Sequence, residues 1–196
     1  MKFLALIATL SLFGSAFALF DSPSQHLIID AGHGGMDPGG SQDGIREADI
    51  NLIWAIELKQ LAEERGMLVT ILREDDSFMD LKMRKAGVED ALEDETVFIS
   101  IHQNTSQNID VQGAFVYVSE SSTEASVKLA EVIEAHLDSI TDTRTQEQDL
   151  FLLRDTDVTG VVVSPGFMSN ATDFANMNSK EFRSRFNHQL LNAIQK

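Results

Sequence analysis

The sequence predicts a single α/β domain built in layers, and three observations support this fold class. Short apolar runs typical of buried strands alternate along the chain with longer segments of helical periodicity. The chain of 196 residues is long enough to bury a substantial core, and it contains no internal repeat or low-complexity tract. Histidine and glutamate residues follow the predicted strands, where open α/β sheets bind their ligands.

The N-terminal residues have the pattern of an export signal. Lys2 supplies a positive charge, residues 3–13 are an apolar run, and Ala16–Ala18 (AFA) is a small-x-small cleavage pattern. The apolar run is too short to predict a membrane span, and the alternative is an uncleaved N-terminal anchor. We expect a signal peptide at 1–18 with cleavage after Ala18, a linker at 19–25 and one domain at 26–196.

The composition excludes several classes of function. The chain has 31 acidic and 15 basic residues, and its net charge of −16 disfavours binding to nucleic acid or anionic lipid. It has no cysteine, which excludes thiolate metal sites and cysteine nucleophiles. No second apolar stretch is long enough to span a bilayer. We therefore expect a monomer exported to the periplasm or cell envelope, with no stable membrane insertion after signal cleavage.

The first half of the domain begins with a short buried strand at His26–Ala31. A loop with six glycines follows at 32–44, and apolar residues at helical spacing then predict a helix at 47–65. Gly66 is a natural end for that helix, and the apolar run at 67–72 predicts a second strand. A charged loop, a short helix at about 79–92 and a third strand at 96–102 complete this half.

The second half continues the alternation. Gly113 begins a fourth strand, and Val127, Ala130, Ile133 and Leu137 define the apolar face of the next helix. The remaining predictions are a strand at 113–119, a helix at 122–140, a polar loop at 141–149, short strands at 150–153 and 161–164, and an amphipathic helix at about 179–195.

Three potential metal ligands are predicted at one edge of the sheet. His33 follows the first strand, Glu47 begins the first helix, and His102 ends the third strand. Two imidazoles and one carboxylate leave a fourth position for water, which is the ligand set of a hydrolytic zinc site. Each residue has an alternative role, since histidines at strand ends are often structural and a first-turn glutamate often stabilises the helix dipole. The glycine-rich loop lacks the phosphate-binding pattern GxxxxGK[ST].

Three segments resemble the signatures of a known family. These are IIDAGHGGMDPGG at 28–40, READINL at 46–52 and FISIHQN at 98–104. They resemble the zinc-dependent N-acetylmuramoyl-L-alanine amidases, which cleave bacterial peptidoglycan between N-acetylmuramic acid and the L-alanine of the stem peptide. Further similar segments are LREDD with Leu81 and Arg84, then LFLLRDTD and VVVSPGFMSN.

The resemblance implies a twisted mixed β-sheet flanked by helices, with the metal site at the carboxyl ends of the strands. It implies that His33, Glu47 and His102 hold one zinc ion and that the substrate is peptidoglycan. His26, His136 and His188 match no ligand position. The similar segments extend over essentially the whole predicted domain.

The family pattern is broken at one position. The family has a catalytic glutamate two residues before the Gly-Phe pair of its last strand segment, and this sequence has Ser164 there. General acid–base help of this kind is worth about 10²–10⁴-fold in rate. A serine hydroxyl accepts a proton poorly near neutral pH, so we expect Ser164 to leave metal binding intact and to reduce turnover. A nucleophilic role for Ser164 is disfavoured, because no histidine lies beside it in the sequence.

Two groups of carboxylates are candidates to replace the missing base. Glu74, Asp75 and Asp76 follow the second predicted strand, and Asp155 and Asp157 follow the short strand at 150–153. Glu74 and Asp157 are the preferred candidates. The alternative for all five is a solvated charge in a loop.

Three functions are consistent with this sequence. The first is a peptidoglycan amidase impaired by the loss of its general base, and the second is a non-catalytic zinc-binding relative that binds peptidoglycan or a division partner. The third is a metal-buffering or structural exported protein, which the ordered motifs disfavour. Ser164 favours the second function, and the resemblance favours the first, which we prefer.

Overall fold

The computed structural model describes residues 25–93 and 95–195. The predicted signal peptide and its cleavage point after Ala18 lie outside the described residues. Within the described part of the chain, every helix is too short or too polar to cross a membrane.

The described residues form eight strands, five α-helices and one short 3₁₀ helix. In chain order they are β1 (His26–Ala31), β2 (Ser41–Gln42), β3 (Ile45–Arg46), α1 (Glu47–Glu64), β4 (Leu68–Ile71), α2 (Leu81–Asp90), β5 (Val97–Ile101), β6 (Ala114–Val118), α3 (Glu124–Leu137), β7 (Thr143–Glu147), the 3₁₀ helix (Phe151–Leu153), β8 (Thr159–Ser164), α4 (Ala171–Asn178) and α5 (Lys180–Ile194).

Six of the strands form one mixed sheet in the order β4-β1-β5-β8-β6-β7. Strands β4, β1, β5 and β8 are parallel, whereas β6 runs antiparallel to β8 and parallel to β7. The prediction of a single α/β domain with a mixed sheet flanked by helices is confirmed. Because β1, β5 and β8 are parallel neighbours, the residues that follow them meet at one edge of the sheet.

Helices α1, α3, α4 and α5 cover one face of the sheet and enclose the larger core. Trp54 of α1 lies at its centre, with its ring 5.1 Å from that of Phe186 and its indole N–H donating to the Met177 carbonyl at 3.1 Å. The sheet residues of this core are Leu27, Ile29, Ala31, Val97, Ile99, Ile101, Ala114, Val116, Val118, Val161 and Val163.

Helix α2 and the 3₁₀ helix cover the opposite face, where a smaller core includes Ile28, Phe98 and Val162. Side chains alternate between the two faces of a strand, so strands buried on both sides are apolar at consecutive positions. This is the physical reason that HLIIDA and TVFISI carry continuous apolar runs. The described sheet is thus covered by helices on both faces.

Three predicted details of secondary structure were wrong. Residues 143–147 were predicted within a loop but form β7, whose polar sequence TRTQE is typical of an edge strand that pairs through its backbone. Residues 151–153 form a 3₁₀ helix rather than a strand, because a short apolar run does not distinguish the two. Helix α4 was not predicted, although Asn170 is a recognisable N-cap for it.

Candidate metal centre

The loop after β1 brings His33 to the carboxyl edge of the sheet. His33 has a φ of +63°, a left-handed conformation that is uncommon for a residue with a side chain. Gly32 precedes it, and a Cβ atom at Gly32 would overlap the imidazole ring of His102. The glycine therefore allows the two histidines to approach each other, and their ring centroids are 4.8 Å apart.

Glu47 is fixed by backbone donors on both of its carboxylate oxygens. It is the first residue of α1 and is 5% exposed. Its Oε2 accepts a hydrogen bond from the Gly40 N–H at 2.9 Å, and its Oε1 accepts one from the Gln103 N–H at 3.0 Å. Oε1 also lies 3.2 Å from Nε2 of His33 and 3.1 Å from Nδ1 of His102. The structure thus brings together the three residues predicted to be metal ligands.

Asp37 determines which nitrogen of His33 faces this cluster. Its Oδ2 lies 2.8 Å from Nδ1 of His33, while its Oδ1 accepts from the Gly39 N–H at 3.2 Å. A carboxylate on one imidazole nitrogen keeps the proton on that nitrogen and leaves the other free to bind a metal. Nε2 is therefore the donor atom that His33 directs toward Glu47.

The electrostatics of the cluster favour a buried anion that is stabilised by the histidines. Burial raises the pKa of Glu47, but hydrogen bonding with His102 and His33 outweighs burial and holds that pKa well below its ordinary value. Burial lowers the pKa of His33, but the carboxylates of Glu47 and Asp37 outweigh it and raise that pKa. The two histidines therefore stabilise the negative charge of Glu47.

The donor set fits a small tetrahedral cation. His33, Glu47 and His102 each offer one ligand atom, and these atoms lie within 4.8 Å of one another. Ligand atoms bound at about 2.0–2.1 Å in a tetrahedron are roughly 3.3 Å apart. The two separations that involve Oε1 of Glu47, 3.1 and 3.2 Å, are close to that spacing. The cluster can therefore hold a metal ion with one coordination position left for another ligand.

Two buried arginines donate hydrogen bonds to backbone carbonyls next to His33 and Glu47. Arg73 donates to the carbonyls of Ala31, Gly32 and Ala48 at 2.8, 3.0 and 3.0 Å. Arg84 donates to the His33 carbonyl at 2.6 Å. It also forms a buried ion pair with Asp30 of β1. The guanidinium groups thus fix the turn between β1 and His33 and the first turn of α1.

Ser164, the residue at which the sequence analysis predicted a break in the family pattern, ends β8 beside His102. The His102 N–H donates to the Val163 carbonyl at 3.1 Å, which continues the β5–β8 ladder to this point. Ser164 and Val162 point to the same face of the sheet by strand alternation. Ser164 is 1% exposed, and none of the described residues forms a hydrogen bond with its hydroxyl.

The acidic residues of the loop after β4 do not join the three ligands. Glu74 is exposed and pairs with Lys59 of α1 at 2.6 Å. Asp76 accepts from the Gly35 N–H at 2.8 Å and from Arg46 at 2.9 Å, while Asp75 accepts from the Ser77 N–H at 3.0 Å. These carboxylates stabilise the loops that surround the site.

Asp155 and Asp157 lie far from the ligands along β8. Both are exposed and precede Thr159, the first residue of that strand. Val97 and Thr159 are partners at the start of β5 and β8, whereas His102 follows the other end of β5. Asp155 and Asp157 are therefore at the amino edge of the parallel strands, opposite the metal cluster.

A cleft of about 230 Å³ lies in front of the two histidines. The segment between β4 and α2 forms its opposite wall, and Asp37 lies at its side. Its lining residues are His33, Asp37, Phe78, Met79, Asp80, Leu81, Arg84 and His102. The cleft gives a substrate access to the ligand cluster.

Sequence reasoning missed several residues that support the cluster. Asp37 lies only four residues after His33 in the same glycine-rich loop, and that proximity was a usable signal. Asn51 is one helical turn after Glu47 and donates to the Gly32 carbonyl at 3.2 Å, while Gln103 donates to Asn51 at 3.1 Å. A buried polar residue at helical spacing from a ligand indicates such a contact.

The comparison with protein families agrees with the fold. A family model described as N-acetylmuramoyl-L-alanine amidase matches residues 27–196. The chain belongs to this family. The amidase family to which the sequence motifs pointed is thus confirmed, and the chain is a peptidoglycan amidase by descent and fold.

Two curated relatives illustrate the range of full lengths in the family. The chain is 30% identical over 171 residues to the uncharacterized protein YqiI of Bacillus subtilis, and the alignment covers 82% of YqiI. That alignment includes 86% of the present chain. It is 31% identical over 153 residues to LytH of Staphylococcus saprophyticus, described as a probable cell wall amidase. This alignment covers 75% of the amidase but only 49% of LytH, so the chain spans about half of that relative.

Solved structures give the same fold. The catalytic domain of CwlV, an N-acetylmuramoyl-L-alanine amidase from Bacillus (Paenibacillus) polymyxa, superposes with a TM-score of 0.79 at 26% identity. That match covers 87% of the present chain and 96% of CwlV. The CwlD amidase of Clostridioides difficile, solved in complex with the GerS lipoprotein, gives a TM-score of 0.80 at 27% identity. That match covers 88% of the present chain and 97% of CwlD.

Proposed function

We propose that the chain is an exported, zinc-dependent N-acetylmuramoyl-L-alanine amidase with reduced turnover. It hydrolyses the amide between the lactyl group of N-acetylmuramic acid and the L-alanine of the stem peptide. The observation that carries this proposal is the ligand cluster of His33, Glu47 and His102 at the mouth of an accessible cleft. Zinc is the metal that this donor set favours, because two imidazoles and a carboxylate with one open position are typical of hydrolytic zinc sites.

Each group of the cluster has a defined part in this reaction. A zinc ion bound there would polarise the scissile carbonyl and make a water molecule more acidic. His33 and His102 supply neutral nitrogen donors, and Glu47 supplies the negative charge that offsets part of the charge of the ion. Asp37 keeps His33 in the tautomer that offers Nε2. The cleft orients the substrate amide toward the cluster.

The reduced turnover follows from Ser164. A glutamate at this position would place a carboxylate near His102, whereas the serine side chain is short and its hydroxyl is a poor proton acceptor. The ligands do not depend on Ser164, so metal binding is retained. The zinc site and the rate of hydrolysis are therefore separate properties of this chain.

A second candidate function rests on the same residue. A chain with an intact zinc cluster and no efficient base can bind peptidoglycan without cleaving it, or bind another protein of the envelope. CwlD, a relative at 27% identity, was solved with a lipoprotein partner. The present chain would then be a non-catalytic member of the family that uses the cleft for recognition.

The test compares wild type with Ser164→Glu and with its isosteric control Ser164→Gln. Bound zinc is measured by elemental analysis, and hydrolysis by the release of new L-alanine amino groups from purified peptidoglycan. We expect about one zinc ion per chain in all three proteins. Ser164→Glu should raise the rate, by up to about 10⁴-fold if wild type has no other base, while Ser164→Gln should not, because only the carboxylate can accept a proton.

The alternative outcomes separate the candidates. A wild type as fast as Ser164→Glu contradicts impairment, and the absence of zinc from all three proteins contradicts the metal site. Wild type that sediments with peptidoglycan, binds zinc and releases no amino groups supports the non-catalytic function. Thermal melting of the three proteins checks that the longer side chains fit at this buried position.

A further inference from the structure

We propose that the carboxylate of Asp80 acts as the proton acceptor in place of the missing glutamate. This inference rests on the proposed function, since a proton acceptor has a role only if the chain hydrolyses its substrate. Asp80 is the residue before α2 and was not among the carboxylates that the sequence suggested. The structure places it on the wall of the cleft that faces His33 and His102.

The cleft restricts the choice of base to two side chains. Among the described residues that line it, Asp37 and Asp80 are the carboxylates. Glu47 is itself a predicted metal ligand, and both of its oxygens are engaged. A general base must reach the proton it removes directly or through one water molecule, so a carboxylate outside the cleft does not qualify.

Asp37 is already committed to another task. Its Oδ2 holds Nδ1 of His33 at 2.8 Å, and its Oδ1 accepts from Gly39. Nδ1 is on the side of the imidazole ring away from the Nε2 atom that faces Glu47. Asp37 therefore contacts the nitrogen of His33 that does not face Glu47. Asp80 is the remaining carboxylate among the described residues that line the cleft.

Asp80 has one engaged and one available oxygen. Its Oδ1 accepts from the Met83 N–H at 2.8 Å as the N-cap of α2. The described residues supply no hydrogen bond to its Oδ2. The cap restricts the side chain, so Oδ2 can accept a proton in the cleft at little further cost in entropy.

Arg84 fixes the distance between this wall and the histidines. Its Nε donates to the carbonyl of Met79, the residue before Asp80, at 3.1 Å. Its Nη2 donates to the carbonyl of His33 at 2.6 Å. One planar guanidinium group thus connects the residue beside Asp80 with His33 across the cleft.

The proton balance of the step is complete without another reactant. The oxygen of a water molecule bonds to the carbonyl carbon of the lactyl amide, and one of its protons passes to the Asp80 carboxylate. The C–N bond then breaks, and the same proton passes to the leaving nitrogen of L-alanine. The products are the lactyl carboxylic acid and the free amine of the peptide, and Asp80 returns to its carboxylate form.

The test is Asp80→Asn, which retains the N-cap because asparagine caps helices about as well as aspartate. The matched control is Asp90→Asn, which makes the same change at the exposed last residue of the same helix. We expect Asp80→Asn to lower kcat at least 10²-fold with KM unchanged. Zinc content, zinc affinity, melting temperature and sedimentation with peptidoglycan should stay at wild-type values, and Asp90→Asn should match wild type throughout.

A double variant distinguishes a base from a structural residue. When Ser164→Glu supplies a base on β8, Asp80→Asn should cost at most a few-fold in rate, because the two carboxylates perform the same step. An equal loss in both backgrounds would overturn the proposal and assign Asp80 to substrate positioning.

The remaining outcomes are also decisive. If wild type and Asp80→Asn cleave equally fast, Asp80 is not the proton acceptor, and the proposed amidase function is unaffected. A loss of rate in Glu74→Gln or Asp157→Asn, with Asp80→Asn unaffected, would assign the base to one of those residues instead. A zinc-loaded wild type that cleaves nothing would contradict the proposed function itself.

Discussion

At the scale of the residue, the proposed metal centre depends on side chains other than its three proposed ligands. His33 can offer Nε2 because Asp37 occupies Nδ1, and His102 can approach because Gly32 has no side chain. Both supporting residues belong to the glycine-rich loop that the sequence identified. The sequence indicated the donor types, but the orientation of each imidazole depends on contacts that become visible only in three dimensions.

Removal of the Asp37 carboxylate should weaken metal binding without unfolding the domain. Asp37→Ala leaves Nδ1 of His33 without its acceptor, and loss of such a partner typically lowers metal affinity about 10–100-fold. Titration of the apo-protein with zinc against a competing chelator measures this change. Asp37→Asn, which keeps an acceptor oxygen without the charge, should fall between Asp37→Ala and wild type. Unchanged affinity in Asp37→Ala would show that the orientation of His33 is set by the loop backbone alone.

At the scale of the element, the residues around the proposed site are positioned by the ends of helices and strands. Glu47 is at the start of α1, Asp80 caps α2, and the turn after β8 leads through Asn170 into α4. Asn170 Oδ1 accepts from the N–H groups of Thr172 and Asp173, and its amide donates to the Ile109 carbonyl at 2.8 Å. Caps therefore also connect the loops that surround the carboxyl edge of the sheet.

Loss of the α4 cap should lower stability. Asn170→Ala removes the acceptor for two helix N–H groups, and such replacements cost about 0.5–2 kcal/mol in the free energy of unfolding. Urea denaturation followed by circular dichroism measures the difference. Asn170→Asp restores the capping oxygen and should recover most of the loss. A free energy of unfolding for Asn170→Ala within error of wild type would show that α4 is stabilised by packing of Met177 rather than by its cap.

At the scale of the whole molecule, the three proposed metal ligands come from elements that are distant in sequence. His33 follows β1, Glu47 begins α1, and His102 follows β5, so a bound ion connects one edge of the sheet to a helix. The unfolded chain cannot hold the three ligands together. Metal binding should therefore stabilise the fold through mass action.

Removal of the metal should lower the melting temperature of the wild type. At a zinc concentration 100 times Kd, binding to the folded state alone contributes about 2.7 kcal/mol, which a chelator would remove. Differential scanning calorimetry with and without EDTA measures the shift. Glu47→Gln, which removes the negative charge of the site, should bind zinc weakly and melt at nearly the same temperature in both conditions. A wild type that is insensitive to EDTA and retains no zinc would contradict the site.

The sequence by itself determined the α/β class and the order of the main elements, and it predicted the three residues that the structure brings together as possible metal ligands. Continuous apolar runs identify doubly buried strands such as β1 and β5, and glycines and caps mark their ends, because these signals are local. The family could also be recognised from the sequence, because the segments IIDAGHGGMDPGG and FISIHQN each contain a predicted ligand together with residues that support it.

Only the tertiary structure decided which polar residues share the cleft. Glu74 closely follows β4 in sequence but pairs with Lys59. Asp157 precedes β8 and therefore lies at the amino ends of the parallel strands, whereas the metal cluster lies at their carboxyl ends. Asp80 is 47 residues after His33 (80 − 33), yet one guanidinium group connects the backbone beside both residues. Edge strand β7 depends likewise on pairing with β6. Proximity across a sheet is set by strand order and by side chains from other elements, and no local pattern in the sequence records it.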